Sequence, residues 1–208
     1  MSARGLLALF RVVFGALAFV AIAAQLKAAA DGGHLDLVSF FSYFTILSNL
    51  LGAILLLIGA ARWRGPRSAR MDLLRGAAVV YLTVTFVVFA LLLADTDVDL
   101  AIPWVNSVLH EIIPIVVVID WLIDPPTTRL SMRQGLLWLS FPAAWIAYVL
   151  IRGGLIGKYP YPFLDPANGG YASVAVYCVG ILVLMVAMCA AVVWVGGWAR
   201  DRHDAPLT

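Results

Sequence analysis

Charge and cysteine are both scarce in this chain. Only 12% of its 208 residues are Asp, Glu, Lys or Arg, against about 25% in an ordinary soluble domain. That is too little polar surface for a water-soluble globule. With 63% apolar residues and a mean hydropathy of +0.96, the composition is that of a polytopic membrane protein. The two cysteines, Cys178 and Cys189, fall in one apolar run. Eleven residues of helix would hold them about 16 Å apart, too far for a disulfide, so they do not report a redox compartment. Other absences narrow the function. There is no Gly-x-Ser-x-Gly nucleophile elbow, no phosphate-cradling glycine loop, no close metal-ligand spacing and no internal repeat. Of the histidines, only His110 lies within an apolar run; His34 is in a loop and His203 in the tail, so a haem with paired axial histidines is excluded within one chain. Neither a metal nor a cofactor is expected.

What is present is six apolar runs, at approximately 5–24, 38–61, 76–94, 102–123, 134–151 and 172–195. Each is long enough to cross a hydrocarbon core of roughly 30 Å as a helix. The expectation is an all-α protein, a single six-helix transmembrane domain covering 1–208. Ala21-Ile22-Ala23 has the small residues of a leader cleavage site, but Arg11 in the middle of the first run argues for a span. The connections are asymmetric. Arg62, Arg64, Arg67, Arg70 and Arg75 crowd the second, Arg129 and Arg133 the fourth, and Arg200 and Arg202 the tail, whereas the third carries Asp95, Asp97 and Asp99. The positive-inside rule places both termini in the cytoplasm. The second-connection arginines read as a topology signal, with lipid phosphates as the alternative; no nucleic-acid partner is expected.

With that orientation, depth can be compared between spans. Counted from the outer ends, Thr45 in the second run and His110 in the fourth each lie about 10 Å down. A hydroxyl and an imidazole at one level can meet across a helix interface. Ionisable groups at such depth cost about 2.5–3.5 kcal/mol each, which calls for a partner, a wet cavity or a purpose. Asn49 lies one turn from Thr45 on its face, with Ser48 beside it, and Asn106 one turn from His110. Two roles are open for these residues: cross-linking of transmembrane helices, at about 0.6 kcal/mol per bond, or catalysis. A threonine needs a base to take its proton as it attacks, and His110 is the natural one. Asn49 or Asn106 is then a candidate oxyanion donor. Glu111 points about 100° away from His110 and reads as a buried partner for a neighbouring helix. Arg11 and Asp120 are expected to pair with each other, unless Arg11 snorkels to the inner surface.

The loop after the fifth run is unusual. Arg152 and Lys158 break the charge pattern, and Tyr159-Pro160-Tyr161-Pro162-Phe163 is stiffened by its prolines. The tyrosines read as interfacial anchors. Arg152, Lys158 and Tyr148, one turn below Arg152, form a candidate site for a substrate carboxylate at the surface.

Three blocks, Phe41-Ser42-Tyr43-Phe44-Thr45, His110-Glu111-Ile112-Ile113-Pro114 with Asp120 beyond it, and Tyr159-Pro160-Tyr161-Pro162-Phe163-Leu164-Asp165, occur in the order seen in one family. They resemble the androgen-induced gene 1 protein-like family of six-span membrane proteins, in particular its prokaryotic branch. The similarity runs from the second span through the sixth, and the Tyr-Pro-Phe-Leu-acid block is its most specific part. The resemblance implies a threonine hydrolase of fatty acid esters of hydroxy fatty acids, with Thr45 as nucleophile, His110 as base, and a prokaryotic cell membrane as location. The chain has one residue fewer between the His and the following Pro than the family pattern.

Sequence therefore leaves three readings. One is an intramembrane lipid-ester hydrolase whose partners are a fatty-acyl ester substrate and membrane lipids. Another is a transporter or proton-coupled carrier using His110, Glu111, Arg11 and Asp120 as a relay, against which no pair of broken half-helices recurs. The last is a non-catalytic membrane scaffold. Oligomeric state is not legible.

Overall fold

In a computed structural model the described residues are 2–33, 35–94 and 102–204. The acidic third connection with Asp95, Asp97 and Asp99, together with His34 and the side chain of His203, lies outside them. The described chain is helical without strands, and six helices are long and apolar enough to cross a membrane: α1 (Ala3–Asp31), α2 (Phe44–Ala61), α3 (Ala69–Leu93), α4 (Pro103–Ile123), α5 (Met132–Ile156) and α6 (Gly170–Arg202). Large apolar side chains face outward on them, among them Leu91, Leu155 and Val176. Such faces are covered by lipid rather than water.

The expected spans correspond to these helices with shifted ends. α1 continues seven residues past the expected limit at 24, to Asp31, because the Ala-rich stretch that follows is a strong helix former and Lys27 pairs with Asp31 one turn on. The second span is the instructive correction. Helix does not run unbroken from residue 38. Asp36 caps a single turn, Leu37–Phe40, by accepting from the Val38 and Ser39 N–H groups. The chain then breaks, and α2 restarts at Phe44 with Tyr43 extended and no side-chain cap. Ser42 holds the break by donating to the Val38 carbonyl at 2.6 Å. Thr45 thus sits in the first turn of α2, where backbone N–H groups have no partner within the helix.

α3 is the most buried span and α5 the least. α1 lies along α2 through Ala18 and Ala21, both fully buried. α2 packs on α3, and α3 on α4 and α6. α5 is tied to α3 at one end. Tyr81 donates to the Trp138 carbonyl at 2.6 Å and Trp138 Nε1 to the Leu73 carbonyl at 2.9 Å. A Cβ at Gly76 would stand 2.4 Å from the Trp138 ring, so only glycine admits this contact. Backbone packing of α5 on α6 is close over Met132–Leu139; beyond it the two helices part.

Arg11 and Asp120 pair, at 2.6 Å, within a larger network. Arg11 also reaches Asp124 at 2.6 Å, and Arg75 reaches Asp120 at 2.8 Å. Arg67 pairs with Asp72 at 2.6 Å and with Asp124. Asp72 accepts from Thr127 N and Oγ1 at 2.7 and 2.6 Å. Two arginines of the supposed topology signal, Arg67 and Arg75, are therefore structural ties among α3, α4 and the connection after α4. Cys178 and Cys189 are both free.

Candidate active site

Thr45 and His110 meet where α2 begins and α4 widens. Thr45 Oγ1 lies 3.2 Å from His110 Nε2. The other ring nitrogen, Nδ1, lies 3.2 Å from the Asn106 carbonyl oxygen, one turn back on α4. A carbonyl only accepts, so Nδ1 carries the hydrogen of the neutral ring, and Nε2 presents a lone pair to the threonine hydroxyl. That is the tautomer a general base requires.

Local backbone explains how His110 faces Thr45. Residues Val108–Ile112 form a π turn, in which the Ile113 N–H donates to the Val108 carbonyl, five residues back. Pro114 has no N–H to offer the His110 carbonyl, so a regular ladder cannot pass through this point. A π turn widens the helix there, as commonly happens beside functional groups. Phe89 begins a second π segment, Phe89–Leu93 in α3, and stacks on the imidazole at a centroid distance of 4.3 Å and an interplanar angle of 21°. The ring plane is thus fixed from one side by an aromatic and at its edge by a carbonyl.

A third group completes the cluster. Tyr161 of the loop between α5 and α6 places its hydroxyl 3.2 Å from Thr45 Oγ1 and accepts from the Thr45 N–H at 3.2 Å. With the threonine proton directed at His110, the phenol donates to Oγ1. Tyr161 is buried, and desolvation pushes its phenol up to about 12, so it stays protonated. It stands edge-on to Tyr43 and stacks on Phe163. The loop reaches this depth because Tyr159 lies flat on α5 at Gly153, where a Cβ would come within 2.1 Å of the ring. Tyr161 is the residue that sequence reasoning missed. The Tyr-Pro-Tyr-Pro-Phe block pointed to it, but as an interfacial anchor, which a buried hydroxyl on Thr45 corrects.

These residues line a cavity of about 320 Å³, with α5 and α6 forming its other walls. Its lining is apolar, including Trp145, Ile146, Leu182 and Met185, apart from Thr45, Thr85, His110, Tyr161 and Cys178. The Trp145 N–H is directed away, to the Ser42 carbonyl at 2.9 Å. Val179 and Leu182 of α6 line the cavity and are exposed, so the space is open on its α6 side.

The remaining candidates have other positions. Asn49 is fully buried, and its amide donates to the carbonyls of Thr45 at 2.9 Å and Leu109 at 3.0 Å. Both its hydrogens go to backbone carbonyls and it does not line the cavity, which corrects the oxyanion role; Asn49 instead ties the Thr45 turn to the residue beside His110. Ser48 donates to the Thr45 carbonyl and approaches Thr85. Asn106 contributes its carbonyl to the site, as the acceptor for His110. Glu111 is exposed, not buried. It follows His110 within the π turn and points out of the bundle.

The carboxylate site is not assembled either. Arg152 already holds Ser39 at 2.9 Å and the Asp36 carboxylate at 3.4 Å. Tyr148 contacts Ser42 at 3.0 Å, and since Ser42 donates to Val38, the phenol donates here. Lys158 is exposed. None of the three lines the cavity. Together Arg152 and Tyr148 brace the break between Phe40 and Phe44. Nor is the proton relay assembled, because Arg11 and Asp120 are locked in ion pairs about 15 Å along α4 from His110. No group of three or more metal-ligating side chains is found among the described residues. No protein-family profile, curated protein or solved structure matches this chain.

Proposed function

We propose that this chain is an intramembrane lipid-ester hydrolase in which Thr45 is the nucleophile and His110 the general base. One observation carries the reading. A threonine hydroxyl faces the unprotonated nitrogen of an oriented histidine at the wall of an apolar cavity between α5 and α6. Helix cross-linking alone needs neither the oriented tautomer nor the cavity. The resemblance noted from the sequence agrees with it, and the one-residue difference in His-to-Pro spacing falls at the π turn, where register departs from an α-helix in any case.

In the proposed reaction Thr45 Oγ attacks the ester carbonyl carbon as its proton passes to His110 Nε2. The carbonyl π electrons move onto oxygen, forming a tetrahedral oxyanion. Two donors stand beside the nucleophile and turn to that charge as it develops, giving up the bonds they make at rest to each other and to Oγ1: the Thr45 N–H, unpartnered within its own helix, and the Tyr161 hydroxyl. Collapse expels the alcohol, which takes the proton from His110, and leaves an acyl-threonine. Water then attacks this ester with His110 as base, releasing the fatty acid and restoring Thr45. The cavity is at the low end of small-molecule sites, about 300–1,000 Å³, so one acyl segment fits inside while the rest of the lipid extends between α5 and α6. Fatty acid esters of hydroxy fatty acids satisfy this shape, with the ester held mid-chain. The membrane is the cell membrane of a prokaryote, with both termini cytoplasmic.

The experiment is intact-mass spectrometry of purified protein incubated with such an ester. An added acyl mass that maps to Thr45 and is missing from Thr45→Ala supports the reading. Turnover with no adduct, even on rapid acid quench, and with full activity in Thr45→Ala, overturns it.

A further inference from the structure

A second cavity, of about 230 Å³, opens at the end of the bundle that carries the N-terminus and the α2–α3 connection. Its lining is far more polar than that of the first. Arg4, Arg11, Arg62, Arg67 and Arg75 line it, with Asp124 as their lining carboxylate. Two more carboxylates, Asp72 and Asp120, stand behind the wall in ion pairs with Arg67, Arg75 and Arg11. Five guanidiniums thus face three carboxylates, a local surplus of two positive charges.

A purely structural network would place its charges in balance, since an uncompensated buried charge is costly. The deep part does balance, Arg11, Arg67 and Arg75 against Asp72, Asp120 and Asp124, so the surplus lies at the mouth with Arg4 and Arg62, while one deep nitrogen stays without a hydrogen bond. Arg75 has a side chain only 6% exposed, and its Nη1 makes no hydrogen bond among the described residues; the Asp72 oxygen it pairs with is 3.6 Å away. Arg4 and Arg62 are exposed at the mouth. The start of α3 lines the same space through Ser68 and Met71, its Met71 N–H already taken by the Ser68 hydroxyl. Arg11 reaches the cavity past Gly59, where a Cβ would stand 3.3 Å from its Nη1.

We infer that this cavity binds a phosphate group in its dianionic form, between the rim arginines Arg4 and Arg62 and the deep guanidinium of Arg75. Two negative charges match the surplus, and guanidinium forks match phosphate oxygens in geometry. A phosphomonoester lipid headgroup entering from the bilayer edge and free inorganic phosphate share this chemistry. The site is remote from Thr45 and does not depend on the hydrolase reading.

The test uses full-length protein in phosphatidylcholine nanodiscs. One arm adds inorganic phosphate; the other dopes the disc with phosphatidic acid, with phosphatidylserine as the carboxylate-bearing control. Binding is read by native mass spectrometry and by thermal unfolding. Phosphate or phosphatidic acid should be retained in preference to phosphatidylserine. Arg4→Gln with Arg62→Gln should weaken that retention about ten-fold, the loss expected for one charge-assisted contact. Both residues lie outside the network, so the fold should hold, and each single variant should show a smaller loss of the same sign. Response to phosphate alone identifies a free anion; response only to phosphatidic acid identifies a headgroup. Equal retention of phosphatidylserine, or an equal loss in Arg64→Gln with Arg70→Gln, which lie at the same end of the bundle but outside the cavity, would overturn the site and leave only a basic surface. Absence of any response in both arms would overturn it as well.

Discussion

The hydroxyl of Tyr161 stands 3.2 Å from both the backbone nitrogen and the side-chain oxygen of Thr45. One loop residue thereby completes the unmet first turn of α2 and touches the candidate nucleophile. Removing only that hydroxyl, in Tyr161→Phe, keeps the ring stacked on Phe163 and takes away one of the two proposed oxyanion donors. Ester hydrolysis should fall by about 10²–10³ in kcat, with KM changed little and the melting temperature lowered by the one buried hydrogen bond that the Thr45 N–H loses. An unaltered kcat would assign Tyr161 to packing alone.

The same residue sets a pH expectation. Burial raises the Tyr161 phenol to about 12, so the neutral, donating form persists through the ordinary alkaline range. Hydrolysis corrected for spontaneous ester breakdown should therefore show no alkaline loss between about pH 8 and 10, where an ordinary phenol near pKa 10 would begin to ionise. A descending limb there that vanishes in Tyr161→Phe would contradict the assignment.

Thr45 and His110 should behave as one unit. Thr45→Ala and His110→Ala are each expected to abolish most turnover, and the double variant should be scarcely worse than either single. Folding should survive, because each change removes one modest helix-to-helix bond. Multiplicative losses in the double variant would separate the two residues.

The meeting of Thr45 and His110 was legible because helix rise converts residue number into depth, and charge asymmetry orients the spans against one another. That argument rested on a second helix beginning at residue 38. The break at Phe41–Tyr43 moves Thr45 into a first turn, where its N–H is unpartnered within the helix, a feature that hydropathy does not report. Tyr161 was hidden for a different reason. Its contacts depend on how a loop folds back over α5 at Gly153, and nothing local distinguishes a buried loop tyrosine from an interfacial one. The π turn at Val108–Ile112 had one visible cause, Pro114, but its effect on the direction of His110 and Glu111 comes from packing against Phe89. Arg67 and Arg75 read as topology signals because their partners Asp72, Asp120 and Asp124 come from α3, α4 and the chain just beyond α4.

Arg152 now carries a different expectation from the one its sequence position suggested. Its guanidinium is held by Ser39 and Asp36, and it stands outside the cavity. Asp36 is itself held below the usual carboxylate range, chiefly by its Ser39 hydrogen bonds and in part by Arg152, so the contact is in place at neutral pH. Arg152→Gln should loosen the Leu37–Phe40 turn and lower hydrolysis of carboxylate-bearing and uncharged esters alike, by about two- to five-fold, as an exposed contact of this kind is worth about 1 kcal/mol or less. A loss confined to carboxylate-bearing esters would restore Arg152 as a substrate contact.

Asp120 offers the most direct test of how the bundle is held together. Its two oxygens pair with Arg11 at 2.6 Å and Arg75 at 2.8 Å, and it is 5% exposed. The pairs join α1, α3 and α4 at one level. Replacing buried ions with apolar groups as a set can be neutral, but removing one partner leaves the other charged and unpaired, at about 3–5 kcal/mol. Asp120→Leu should therefore destabilise the protein by about that amount, measured as unfolding free energy in detergent or as a large fall in melting temperature. Arg75→Leu combined with Asp120→Leu should recover part of the loss, because Arg11 keeps Asp124. Thr45, about 15 Å or more from this level along the bundle, should keep its geometry, so any folded Asp120→Leu protein should retain turnover per active molecule. A variant that is stable but inactive would instead tie Asp120 to the chemistry, and the division of the bundle into a catalytic end and an ion-paired end would fail.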